Sequence, residues 1–360
     1  MSQFLSGVAT VAIQEFRLRI RAGRWRWLLG TWFAVLAVFT LLLRMALAAA
    51  GEDERPLGTP MYGTLMLLVL GMALLVVPAL TAQSVNGDRE RGTLATLQVT
   101  LLRPVEIAVG KLVAAWGTAL VFLALTVPLI VWTMVEGGVP LGRVVVTTLV
   151  IALLLGVMCA IAQALSALLA RSTTSAVLSY LVVFALTIGT LIVFGLALSM
   201  TTERVTRTVQ VPVAPFEPGQ PLPPGGPVPR LEEHTIVTST TRSDRVWWLL
   251  APNPFVVLAD AAPTLPQRPD QTVLEPGTPE AQRNPLDPLG EIGHGVRGLR
   301  NPPLEYVDQY SQLDDEVPPS KPVWPYGLVF NVLLGAGAVV VTTWRLRTPT
   351  RTLPRGIRVA

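Results

Sequence analysis

Few residues in this 360-residue chain are of types that do covalent or metal chemistry. His234 and His294 are the only histidines, sixty positions apart with no His-Glu-x-x-His spacing, and Cys159 is the only cysteine. A clustered His, Cys or carboxylate set for a metal is therefore not spelled out, and each histidine is expected to be solvated. No Gly-x-Ser-x-Gly elbow marks a nucleophile. The nearest approach to a phosphate-binding loop is Gly110-Lys111, but Val105 stands where the first glycine belongs and Leu112 follows the lysine. Catalysis, a cofactor and a metal are all absent from the expectation, and the chain reads as a non-enzyme.

What the chain offers instead is recognition. The segment from Asn86 to Lys111 is charged and helix-compatible, and it lies between two long apolar runs. From Asp88 to Leu102 the spacing predicts a helix with Leu94, Leu97, Leu101 and Leu102 on one stripe. Arg89, Glu90 and Arg91 crowd its first turn, Pro104 ends it, and Gly87 and Gly92 let the backbone bend. Such a helix either docks against a soluble partner or buries its leucines in a bilayer interface.

Composition sets the frame that must position this segment. Hydrophobic residues make up 51% and charged residues 14%, where soluble domains carry about a quarter charged. Mean hydropathy is +0.52. The apolar residues collect into runs of the length a helix needs to cross a bilayer. An all-α polytopic membrane protein is expected, with six transmembrane helices at 28–50, 61–82, 108–135, 144–170, 176–199 and 324–344. Pro78 and Pro128 should kink the second and third. Ahead of the first span, Phe4, Leu5, Val8, Val11, Ile13, Phe16 and Ile20 recur at roughly helical spacing, as in an interfacial helix. Trp25, Trp27 and Trp32 are expected at headgroup level.

Charge asymmetry orients the spans. The segment before the first span carries net +4, the 83–111 loop +1, the turn at Arg171 +1 and the tail 345–360 +5. The opposite set carries −2 around Glu52-Asp53-Glu54-Arg55, zero for Glu136 with Arg143, and −6 over 200–323. Basic loops stay inside, so both termini are expected in the cytoplasm. Arginine outnumbers lysine 26 to 2, as in a GC-rich bacterial genome, which suggests a bacterial cell membrane. The organisation expected is 1–27 cytoplasmic, 28–199 spans one to five, 200–323 a Pro-rich extracytoplasmic loop, 324–344 the sixth span and 345–360 a basic tail.

Within that loop, 201–211 and 235–241 are rich in Thr and Val and read as strands or hairpin arms. Residues 246–259 are apolar but too short and Pro-broken to span, and suit an interfacial or re-entrant helix. Most of 263–320 reads as extended or disordered. The loop is either an insertion without contacts or a cap. Arg44, near the outer end of the first span, is expected to snorkel, and Gln163 is expected to bond a neighbouring helix. No buried carboxylate relay supports proton coupling.

The order Asp88-Arg89-Glu90-Arg91-Gly92-Thr93-Leu94, then Leu101, Arg103-Pro104 and Gly110-Lys111, resembles the coupling region of ABC transporter permeases of the type-2 exporter class. The resemblance extends to the interfacial helix, the six-span layout and Asn253-Pro254-Phe255. It implies a coupling helix seated in a cleft of a separate cytoplasmic ATPase, with Glu90 and Arg91 as contacts and Leu94 and Leu97 as apolar anchors. Asp88, Arg89, Gly92, Thr93, Arg103 and Pro104 complete the implied coupling set. It further implies a second permease copy, as homodimer or heterodimer, and ATP hydrolysis in the partner chain. Lipid is the other expected partner, and nucleic acid is not. The chain departs from the family in its long loop, where many members have a short helical hairpin. The alternative is a membrane-anchored scaffold or sensor whose loop binds a partner.

Overall fold

Six helices among the described residues are long and apolar enough to cross a membrane: Trp25–Ala49, Gly58–Glu90, Pro104–Val135, Leu141–Leu168, Ser172–Met200 and Trp324–Arg345. The computed structural model describes residues 2–21, 24–50, 56–90, 92, 103–213, 230–265, 287–301 and 321–347. The architecture is that of an all-α polytopic membrane protein, and each span lies within a few residues of its expected position, apart from the polar extension through Glu90. In lipid only such helices satisfy their own backbone groups.

The first half comprises α1 (Ser2–Arg21), α2 (Arg24–Ala49), α3 (Gly58–Thr81) and a short α4 (Asn86–Glu90). The third span is α5 (Pro104–Ala124) followed by α6 (Val127–Val135). α7 (Leu141–Leu168) is the fourth span, and α8 (Ser172–Phe184) with α9 (Thr190–Met200) is the fifth. Pro128 sits in the first turn of α6, so the break before it follows from the missing N–H, whereas Pro78 lies inside an uninterrupted α3. Between α8 and α9, Ala185–Gly189 forms a π-helical turn.

The core gathers around α3, α5 and α7, where Leu65, Leu70, Leu74, Ile151 and Leu154 are buried. Over its most apolar window α3 is 56% buried and the fifth span only 11%, so α3 is central and α8–α9 peripheral. Trp25 and Trp32, two of the tryptophans expected at headgroup level, are buried in the bundle. Seven residues apart, they share the inward face of α2 and meet Phe122 edge-on at 5.4 and 5.2 Å, leaving Trp27 exposed.

Between the last two spans the chain forms β1 (Thr202–Val213) and β2 (Arg230–Thr241), an antiparallel pair in register from Thr202 opposite Thr241 to Val213 opposite Arg230. The Thr- and Val-rich arms are thus strands. Next come α10 (Pro254–Ala261) and α11 (Pro288–Gly298), and α12 (Trp324–Arg345) is the sixth span. The extended reading of 263–320 is corrected at 288–298, where a helix packs on α10 and α3 and buries Leu289, Gly293 and Val296. Of the tail, only Arg345, Leu346 and Arg347 fall within the described residues.

Candidate functional site

The charged segment begins where α3 gives way to a turn, and its first half is held from several directions. The backbone N–H groups of Val85 and Asn86 both donate to Ser166 Oγ of α7 at 3.1 Å. These are donors that a helix start leaves without intrahelical partners. Arg89 Nη1 donates to Asn86 Oδ1 at 3.1 Å and to the Leu169 carbonyl at 3.2 Å. Glu90 accepts from the Ser172 N–H at 3.4 Å. α4 therefore rides on the α7–α8 turn.

At the centre is Lys111, whose side chain is 1% exposed on α5. Its ammonium donates to Glu15 of α1, to Asp88 of α4 and to the Ser84 carbonyl, the last at 3.1 Å. One point charge with three donors thus ties three elements together. A buried ammonium is tolerable only when so paired. Gly110, beside it, is where α1 crosses closest: a Cβ there would stand 2.7 Å from Val11 Cβ and 3.0 Å from the Val8 carbonyl. Leu5 and Ile13 of α1 stay exposed.

Of the helix expected from Asp88 to Leu102, the described residues carry α4, Asn86–Glu90, and Gly92 follows with φ +70°, a conformation suited to glycine. Arg91, Thr93, Leu94, Leu97, Leu101 and Leu102 lie outside the described residues. Of the implied coupling set, Glu90, Gly92 and Arg103 are exposed, while Asp88 and Arg89 turn partly inward and hold α4 in place. Pro104 opens α5, and the Arg103 N–H donates to Glu106 Oε2 at 2.9 Å. Glu15, Ser166 and Ser172 were not singled out by sequence reasoning.

The other end of the bundle carries its own polar joints. Arg44 Nε donates to Glu136 at 2.8 Å, and Trp132 Nε1 donates to the same oxygen at 3.1 Å. The Arg44 hydrogen bond, with a smaller help from Trp132, holds the Glu136 carboxyl below the ordinary glutamate value despite opposing burial. Asp260, fully buried on α10, accepts from Arg297 Nε of α11 and from the Val323 and Trp324 N–H groups at 2.6 Å, so it caps α12. Asn253 Nδ2 donates to the Thr187 carbonyl at 2.7 Å and to Thr190 Oγ1 at 2.9 Å, filling the π turn. Gln163 bonds the Ala108 carbonyl at 2.8 Å, the helix–helix contact expected of it. Arg143, expected in a turn, lies in the first turn of α7 and is buried.

His294 is exposed and faces the Gly290 carbonyl of its own helix. Among the described residues no three His, Cys, Asp or Glu side chains are grouped to hold a metal. The Lys111 junction offers mechanical connection and no reacting group. No protein-family model matches the chain, and no curated protein sequence matches it.

Proposed function

We propose that this chain is the membrane subunit of an ATP-driven exporter, forming a translocation path with a second permease copy and hydrolysing nothing itself. The observation that carries the proposal is the Lys111 junction. It ties the described start of the 86–111 segment to α1 and α5, and the Ser166 hydrogen bonds add α7, so a push on the segment would reach three elements at once. On the charge asymmetry, that end faces the cytoplasm, with α1 lying along the membrane surface and Leu5 and Ile13 turned to lipid. Glu90, Gly92 and Arg103 would meet the ATPase, and closure of the ATPase would shift the spans between inward- and outward-facing populations.

The test is co-purification. Glu90→Arg or Leu94→Asp should abolish association with the ATPase while leaving the monodisperse elution of the permease unchanged. Normal association and transport by both variants would sink the coupling assignment. One observation favours the rival scaffold or sensor: the β1–β2 pair is a two-stranded sheet, which is marginal alone in water and so suited to a partner strand. Retention of function without any ATPase would select that reading.

A further inference from the structure

One buried charge among the described residues is only half satisfied. Arg143, in the first turn of α7, has a side chain 2% exposed, and its Nη2 donates to Asp287 Oδ1 at 2.6 Å. Its Nε and Nη1 are buried with no hydrogen-bond partner. No other charged residue among those described has buried side-chain atoms in that condition. Lys111 and Asp260 show the contrast, since each meets several partners. A buried guanidinium left with idle donors is costly, and such exceptions call for a specific explanation.

The geometry of the idle donors is informative. A guanidinium edge is a rigid fork that fits two oxygens of one carboxylate or phosphate. Asp287 takes a single prong, and it does so from a separate element, as the residue that starts α11. That helix closes down on α3 directly: a Cβ at Gly63 would stand 3.0 Å from Pro288 Cδ. Nearby polar groups are engaged elsewhere. The Tyr62 and Thr147 hydroxyls bond each other, and Thr147 also bonds the Arg143 carbonyl at 2.9 Å. The site stands at the ends of two apolar spans, the level at which lipid headgroups lie.

We propose that Arg143 is a receptor for an oxyanion, the phosphate or carboxylate of an amphiphile reaching the ends of α3 and α7. Asp287 is the internal carboxylate that occupies the fork in part and gives way to the incoming one, lifting the start of α11. The inference stands whether or not an ATPase powers the protein, because it concerns binding alone.

Calorimetry on the full chain in detergent tests it, with dioctanoyl phosphatidic acid as probe and amide exchange over 288–298 as the second readout. Saturable binding should raise exchange in α11. Arg143→Gln should weaken binding by roughly tenfold or more, the loss of a charge-assisted fork. Asp287→Asn should tighten it several-fold by removing the competitor, a gain that misfolding does not produce. Competition by inorganic phosphate at similar concentration would assign the site to small oxyanions, and its failure to compete would assign it to a tailed headgroup. Either result supports the receptor. Equal binding by wild type and Arg143→Gln, weaker binding by Asp287→Asn, or equal affinity for dioctanoylglycerol, which carries no oxyanion, would overturn it, leaving water as the sole partner of the idle donors.

Discussion

Lys111 decides more of the structure than any other single charge at its end of the bundle. Its side chain is 1% exposed, against 21% for Glu15 and 14% for Asp88, so water reaches the carboxylates but not the ammonium. Lys111→Met removes the cation and leaves two carboxylates facing each other. Removing one partner of a buried pair costs about 3–5 kcal/mol, and partial hydration of the acids places this case near the lower end. A fall in thermal midpoint in detergent should follow, with Lys111→Arg closer to wild type. An unchanged midpoint would show that the junction holds nothing. Glu136 makes the pH-dependent counterpart. Its carboxyl is depressed in the folded state, chiefly by the Arg44 hydrogen bond, so protons bind more readily to the unfolded chain. The stability it confers is complete above the ordinary value of 4.5 and is lost as pH falls through the lower folded value. Arg44 is 38% exposed and screened, so the effect stays below about 1 kcal/mol. Melting curves of wild type and Glu136→Gln should converge on acidification.

At the scale of elements, α1 is held to α5 by the close crossing at Gly110. Gly110→Val would set a branched side chain against Val11 and the Val8 carbonyl, and small-to-large changes of this kind cost about 1–3 kcal/mol. Faster amide exchange along α1, with α3 and α7 unaffected, is the expected result, and uniform protection would mean the crossing adapts. The spans themselves were legible because a run of some twenty apolar residues has few alternatives to a membrane helix. The hairpin was legible from its Thr and Val content. The helix Pro288–Gly298 was not, since its short glycine-rich sequence has weak propensity and its stability comes from docking on α10 and α3. The junction was half legible: Asp88 and Lys111 were noticed as members of a motif. The pairing of Lys111 with Glu15 and with Asp88 joins positions 96 and 23 residues apart, a relation no periodicity encodes.

Across the whole molecule, the segment between the last two spans is joined to the bundle by buried charges. Asp260 is fully buried and takes Arg297 from α11, and Arg143 takes Asp287 from the start of α11. Deleting 263–320 would therefore remove two counter-charges along with the sequence that looked like loop. The cut ends lie close, because the Val323 N–H bonds Asp260, so a short glycine linker closes the gap without straining the spans. Each charge so exposed costs about 3–5 kcal/mol, and two of them rival the 5–15 kcal/mol that holds a typical domain together. The deletion should elute as aggregate on size exclusion, and loss of function in it would not separate an exporter from a sensor. Adding Arg143→Gln and Asp260→Asn to the deletion should restore a monodisperse peak, because a neutral amide in each position no longer needs a counter-charge. A deletion that is monodisperse without these changes would mean that water serves both charges, and the segment would then be joined to the bundle by apolar contacts alone.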